Sequence, residues 1–269
     1  MKKEENVVSL QEKELGKELG FVHEGLITLR KAGMTPELWA KITENKELAR
    51  KIVDLARKGG FKSTISQKHA REIMGKNFFG IEEAQKHFGV NPTHQQLAAL
   101  SEIPFSEAIL EELRHTHILV AVFPLSILEI RDKVSKIRYK GTFELFESED
   151  DELWYIEESF ARERGKVDWQ LIRKIPVDNS VKKNDWQEQQ ALLAKEEEVP
   201  TAQVMIYTII GYYLVTGEHL FENVYVQTSS VDSKHNSVNV GGFFLSLSIG
   251  RDWDTLRLSN LGISSARKF

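Results

Sequence analysis

The stretch VMIYTIIGYYLVTGEHLF, Val204 to Phe221, is the most apolar segment of the chain, and its interpretation decides the fold. Its apolar run extends only to Val215 and is interrupted by Thr208 and Gly211. A helix that spans a bilayer needs about 20 apolar residues. We therefore predict a buried helix here and no membrane anchor.

The ends of this helix follow from the residues that flank it. Pro200 and Thr201 are typical of a helix start, and Gly217 is typical of a helix end. The apolar side chains surround the helix almost completely, which predicts burial on most sides against a sheet that begins at Asn223. The alternative is a pocket wall, formed by Tyr207, Tyr212 and Tyr213.

Composition limits the class of protein. Of 269 residues, 41% are hydrophobic and 28% are charged, which is the balance of a soluble globular protein. There is no cysteine, which excludes disulfides, a thiol nucleophile and cysteine-ligated metals. The first twenty residues lack the apolar core of a signal peptide, so a cytoplasmic location is expected.

The pattern of the chain predicts an α+β fold. An N-terminal helical region is followed by a mixed region with a C-terminal antiparallel sheet packed on the buried helix. HILVAVF, ELWYIEE and WQLIRKIPV are predicted strands, and ENVYVQTSSVDSKHNSVNVGG predicts a hairpin within a β-meander. The predicted domains are residues 1–75, a helical N-terminal region, and residues 76–269, a mixed α+β domain.

Charge is distributed unevenly along the chain. Residues 21–80 hold 12 Lys and Arg against 6 Asp and Glu, whereas residues 81–160 hold 7 against 16. The basic excess is compatible with an anionic partner, but it is smaller than the basic stripe of a dedicated nucleic-acid binder, so a solvated helical face is the favoured explanation. The candidate contacts to such a partner are Lys46, Arg50, Lys51, Arg57 and Lys58.

The segment GIEEAQKHFGVNPTHQQLAAL resembles a helix-turn-helix. Two features favour a purely structural helical hairpin instead. Gln85 stands where a small buried residue is expected, and the second helix has His94, Gln95 and Gln96 but no Arg or Lys for phosphates.

Two motifs contain potential metal ligands, and neither is predicted to bind a metal. His115 and His117 form an H-x-H pair that would need a third ligand such as Glu129 or Asp132. The hairpin turn DSKHN has only one carboxylate, Asp232, where calcium needs several. The prediction is no metal and no cofactor.

Enzyme signatures for phosphate, dinucleotide, hydrolase and zinc-protease sites are missing from the sequence. An unconventional site remains the alternative, assembled at the polar ends of the C-terminal strands from Arg251, Asp252 and Asp254. Other polar side chains that could join such a site are Glu157, Glu158, Arg162 and Arg164.

Several blocks carry a resemblance that extends from about Asn77 to Phe269. They are NFFGIEEAQKHFGVNPTHQQLAAL, THILVAVFPLSILEIR, IYTIIGYYLVTGEHLFENVYV and LGISSARKF. Together they resemble a bacterial protein family of unknown function, which implies no catalytic or ligand residue. Similar sequences have more Asp and Gly in the hairpin turn, where this chain has Lys234, His235 and Asn236.

Together these features predict a non-enzymatic binding or interaction protein whose partner is a protein or a nucleic acid. The final SSARKF has two interpretations, a frayed terminus or a tail that binds a partner.

Overall fold

A computed structural model describes residues 22–57, 63–139, 143–146, 154–183, 185–244, 246–251 and 260–268. Contacts divide the chain into two compact units, Met1–Gly60 and Phe61–Phe269. The sequence instead placed a boundary near residue 75. The difference concerns helix Ile65–Met74, which packs within the second unit.

In the described part of the first unit there are three helices, namely α1 over residues 22–31, α2 (Pro36–Glu44) and α3 (Lys46–Arg57). The Thr35 hydroxyl caps α2, and Pro36 occupies its first position. Asn45 separates α2 from α3, because its side-chain oxygen accepts hydrogen bonds from the backbone of Glu47 and Leu48 at 3.1 and 3.0 Å.

The second unit combines short helices with two main sheets. Its helices are α4 (Ile65–Met74), α5 (Ile81–Phe88), α6 (His94–Ala99), α7 (Glu107–Leu113), α8 (Ile127–Val134), α9 (Ser159–Arg162), α10 (Trp186–Gln190) and α11 (Ala202–Thr216). Among the described residues, 3₁₀ turns cover Gly75–Asn77 and Ser180–Lys182. Its strands are β1 (Phe78–Phe79), β2 (His117–Val122), β3 (Arg138–Tyr139), β4 (Phe143–Glu144), β5 (Asp168–Arg173), β6 (Glu197–Glu198), β7 (Tyr225–Val231), β8 (Ser237–Gly241), β9 (Ser248–Arg251), β10 (Leu261–Ile263) and β11 (Ala266–Arg267).

The first sheet has the order β1-β2-β5-β11-β6. Strand β1 pairs with β2 in parallel, and the remaining neighbours are antiparallel. Every residue of β2 is buried, as expected for an apolar run covered on both faces. Strands β3 and β4 form a separate antiparallel pair.

The second sheet has the order β10-β7-β8-β9 and confirms the predicted C-terminal antiparallel sheet. Strands β7, β8 and β9 follow one another as an antiparallel meander. Strand β10 returns to the other side of β7 and pairs with it in parallel. The α+β fold class is therefore confirmed, with one parallel addition to the predicted meander.

Helix α11 explains the apolar stretch that decides the fold. It contacts β1 and β2 of the first sheet, β7 and β8 of the second, and helices α5 and α8. Since both sheets and two helices surround it, apolar residues are needed around its whole circumference. Thr201 caps its start and Gly217, with φ of 72°, ends it, as predicted.

The three tyrosines of α11 are used mainly in packing. The Tyr207 ring packs against Phe88, with the ring centroids 4.6 Å apart, and its hydroxyl donates to the Ala121 carbonyl at 3.1 Å. Tyr212 is buried, and Tyr213 packs edge-on against Phe243. Core packing thus accounts for this face of the helix.

The predicted strand ELWYIEE, residues 152–158, is wrong for its described residues 154–158, and residues 152 and 153 lie outside the described part of the chain. Residues 154–157 form turns and α9 follows. Trp154 packs against both Tyr155 and Phe160, with centroid distances of 6.0 and 5.7 Å. A strand would send the neighbours Trp154 and Tyr155 to opposite faces, so a turn is required.

None of the helices in the described part of the chain combines the length and the apolar character that crossing a bilayer requires.

Candidate functional site

The predicted basic contacts lie on α3 of the first unit. Lys46 and Arg50 are exposed and, one helical turn apart, share a face. Lys51 is also exposed and pairs with Glu47 at 2.9 Å. Arg57 ends α3, and Lys58 lies outside the described residues. These side chains stay predicted contacts for an anionic surface.

An open hollow of about 650 Å³ lies at the junction of α2 and α3. It is lined by Lys41, Glu44, Asn45, Lys46 and Leu48. The lining thus contains two ammonium groups, from Lys41 and Lys46, and one carboxylate, from Glu44. It also contains the apolar side chain of Leu48.

The apolar side chains of the first unit are as notable as its charges. Among described residues 22–53, no residue is buried. Seven large hydrophobic residues there are exposed, namely Val22, Leu26, Ile27, Leu29, Leu38, Ile52 and Val53. Exposed apolar side chains grouped on amphipathic helices are typical of a surface that meets a partner.

The predicted polar site at the ends of the C-terminal strands is represented by Arg251 alone, because Asp252 and Asp254 lie outside the described residues. The Arg251 guanidinium lies 4.9 Å from the centroid of the Trp154 ring and 3.9 Å from the Asp232 carboxylate. In the described structure Arg251 therefore supports the β7–β8 turn. An enzyme built on these three residues stays a prediction.

The β7–β8 turn is closed by Asp232, whose side chain is buried. Its carboxylate accepts hydrogen bonds from the backbone of Lys234 and Asn236 at 2.9 and 2.8 Å and from the Asn236 amide. Burial alone would raise the pKa of Asp232, but these bonds and the charge of Arg251 lower it. The carboxylate is thus committed to the turn, which Glu158 clamps through the amide and hydroxyl of Ser233.

The other polar side chains that the sequence suggested for this site, Glu157, Glu158, Arg162 and Arg164, do not come together at one place. Arg162 pairs with Glu157 at 2.9 Å, and Arg164 pairs with Glu129 of α8. Glu158 is occupied at the hairpin turn.

The helix-turn-helix candidate forms a short helical hairpin. Helix α5 ends at Gly89, which has φ of 59°, and Phe88 of α5 is buried in the core. Gln96 of α6 closes a capping box with Thr93 instead of projecting freely. Packing and capping thus explain this segment.

The two histidines of the H-x-H pair differ in exposure and in secondary structure. His115 is exposed in the turn before β2, whereas His117 is buried in the strand. Within the described ranges, no group of three or more His, Asp and Glu side chains is placed to hold a metal ion.

A polar cluster on the first sheet was missed by sequence reasoning. We define it as His117, Arg173, Glu197, Ser265 and Arg267. His117 pairs directly with Arg173, and Arg267 lies opposite both Leu171 and Glu197. Directly opposed residues share a face, as do residues two apart on one strand, so all five side chains project from one face.

The electrostatics of the polar cluster centre on His117, which is only 3% exposed. Burial and then the guanidinium of Arg173 lower the pKa of His117 to about 4. Glu197 opposes this shift, whereas Arg267 and Lys174 add to it. His117 is therefore a neutral imidazole at neutral pH.

The charged side chains of the polar cluster differ in the hydrogen bonds and ion pairs that they form. The Glu197 carboxylate accepts from the Ser265 hydroxyl at 2.8 Å and from the Ala194 amide at 3.0 Å. Arg173 pairs with Asp178 at 2.8 Å. For Arg267, no ion pair or side-chain hydrogen bond is found within the described ranges.

Comparison of the chain with protein-family models, with curated proteins and with solved structures found no match. The resemblance to a bacterial family therefore stays a prediction.

Proposed function

We propose that the chain is a cytoplasmic, non-enzymatic binding protein and that its N-terminal helices α1–α3 bind a macromolecular partner. One observation carries the proposal. Among described residues 22–53 no residue is buried, although seven large hydrophobic side chains lie there. Burying these side chains against a partner would contribute favourable free energy at about 25 cal/mol per Å².

The composition of this surface favours a protein partner with an acidic rim. Apolar and aromatic contacts supply the centre of most protein interfaces, and charged residues supply their rim. Ile52 and Val53 are exposed on the helix that also carries Lys46, Arg50 and Lys51. A nucleic acid would use the same basic residues but would gain little from the exposed aliphatic side chains.

The experiment is affinity capture from native cells with the full chain, followed by cross-linking to map the contact. Ile52→Glu is expected to reduce capture at least tenfold, because it places a charge in the apolar surface. Ile65→Glu is the matched control, since Ile65 is 86% exposed and belongs to the second unit.

Two further arms separate the kinds of partner. Capture of a protein partner should survive nuclease treatment and should fall in Ile52→Glu. Capture of a nucleic acid should be abolished by nuclease, weakened by salt and weakened in the double variant Arg50→Glu with Lys51→Glu. If Ile52→Glu and the double variant Arg50→Glu with Lys51→Glu both capture the partner as well as wild type and the control do, the proposed role of the N-terminal helices is refuted.

A further inference from the structure

Two lysines meet at the end of the first sheet, close to the C-terminal end of α11. We define the lysine cluster as Lys76, Asn77, Lys174, Tyr212 and Glu218. The first two belong to the 3₁₀ turn before β1, Lys174 follows β5, and the last two lie on α11 and just after it. The cluster is open to solvent on one side, since the side chains of Lys76 and Glu218 are 59% and 51% exposed.

Glu218, the carboxylate of the lysine cluster, has both of its oxygens occupied. Oε1 accepts from Nζ of Lys76 at 2.5 Å, and Oε2 accepts from the Tyr212 hydroxyl at 2.8 Å. Hydrogen bonds to an ionised carboxylate are stronger than those between neutral groups. Glu218 is therefore committed to Lys76 and Tyr212.

Lys174 is held by a neutral acceptor instead of a carboxylate. Its Nζ donates to Oδ1 of Asn77 at 3.2 Å. Asn77 is buried, and its Nδ2 donates to the Arg114 carbonyl at 2.5 Å, which fixes the direction of the amide oxygen. Within the described ranges of the chain, Lys174 forms no ion pair with a carboxylate.

The same hydrogen bond places Lys174 beside a second cation. Asn77 directly follows Lys76, so Nζ of Lys174 contacts the turn that carries the other ammonium group. Lys174 is also partly buried. Burial and then the charge of Lys76 lower the pKa of Lys174, and Glu218 opposes them. More of Lys174 than of an exposed lysine is therefore neutral amine near neutral pH.

Neutral amines attack electrophilic carbon, and a lysine becomes nucleophilic when it is desolvated or lies next to another cation. Both conditions hold at Lys174. We propose that Lys174 is an acylation site for a small activated acyl donor, either an acyl phosphate or a thioester. The site lies in the second unit and is independent of partner binding by α1–α3.

The step forms one bond and breaks another. The lone pair of the Lys174 Nζ attacks the carbonyl carbon of the donor, and an amide C–N bond forms. The bond from that carbon to the phosphate oxygen or the thiol sulfur breaks, and its electron pair leaves with phosphate or thiolate. Nζ loses one proton to water, and nothing is oxidised or reduced.

The test is acetylation of the full chain by acetyl phosphate at pH 8, with the initial rate at each lysine measured by quantitative mass spectrometry. Lys182 is the internal control, because its Nζ also donates to an amide oxygen, that of Asn179 at 3.1 Å, whereas its side chain is exposed. We expect Lys174 to react at least about fivefold faster than Lys182, since one pKa unit changes the fraction of neutral amine about tenfold.

Two variants change the charge beside Lys174 in opposite directions. Lys76→Gln removes the neighbouring cation and releases Glu218, so it is expected to slow acetylation of Lys174 at least about threefold. Glu218→Gln removes the opposing carboxylate and is expected to accelerate it about twofold. Lys86→Gln is the matched control, because Lys86 is an exposed lysine of α5, and it should leave the rate unchanged. Thermal unfolding of each variant confirms that it is folded.

The pH dependence of the rate is a second readout. Because the rate follows the neutral amine, acetylation of Lys174 should reach half of its maximum at a lower pH than acetylation of Lys182 does. An uncharged acetyl thioester is the second probe. The donor with the larger ratio of the Lys174 rate to the Lys182 rate is assigned as the source of the acyl group, and equal ratios assign the site to both donors.

Three outcomes would overturn the proposal. They are a lack of preference for Lys174 over Lys182 with either donor, coincident pH profiles for the two lysines, and a Lys174 rate that is unchanged in both Lys76→Gln and Glu218→Gln.

Discussion

At the scale of single residues, His117 shows how a strand position acquires chemistry that its sequence motif does not reveal. The H-x-H spacing suggested two ligands on one strand face. The structure ends the strand before His115 can share that face and leaves His117 alone in a buried site beside Arg173. The relevant neighbours, Arg173 and Arg267, are far away in sequence, so only strand register identifies them.

The depressed pKa of His117 predicts a specific loss of stability in acid. The unfolded chain takes up the proton near pH 6.5, whereas the folded chain resists it until about pH 4. Stability from this group is therefore complete above about pH 6.5, falls with the pH through this window, and is lost below about pH 4. The expected loss is about 3 kcal/mol.

Urea unfolding of wild type and His117→Gln between pH 7 and pH 4 measures this contribution. The free energy of unfolding should fall less with acid in the variant, by roughly the same 3 kcal/mol. Parallel pH profiles for the two proteins would show that His117 does not have a depressed pKa.

At the scale of elements, the sequence predicted those segments whose patterns are local. Strands β2 and β5, the β7–β8 hairpin and helix α11 all follow from apolar periodicity and caps. The strands that pair with the C-terminal segment do not follow from the sequence, because pairing between distant strands leaves no local signal.

Neither interpretation of SSARKF holds for its described residues. Ser264, Ser265 and Ala266 are buried, and β11 lies between β5 and β6.

Deletion of residues 266–269 is therefore expected to destabilise the second unit severely. It removes a strand from the interior of the first sheet, leaving the hydrogen-bonding edges of β5 and β6 unpaired. We expect the midpoint of thermal unfolding to fall by more than about 10 °C, as measured by circular dichroism.

Arg267→Gln is the control for this deletion, because it removes the guanidinium and keeps the strand backbone. Its midpoint should stay much closer to that of wild type. A truncated chain that unfolds at the wild-type temperature would mean that β11 contributes little to the sheet.

At the scale of the whole molecule, the two units differ in where their stability can come from. All residues of the hydrophobic core cluster lie between Ala70 and Ala266. Among described residues 22–53, none is buried. The sequence predicted two regions, but amphipathic helices look alike whether or not they are covered, so it could not show that residues 22–53 of the first region are all at least partly exposed.

This difference predicts that the fragment Phe61–Phe269 folds without the first sixty residues. Its core is complete, so its calorimetric unfolding midpoint should lie within about 3 °C of that of the full chain, which corresponds to roughly 1 kcal/mol for a domain of this size. An aggregated fragment, or a much lower midpoint, would contradict the independence of the second unit. The same fragment should lose capture of the partner that α1–α3 bind, because it lacks those helices.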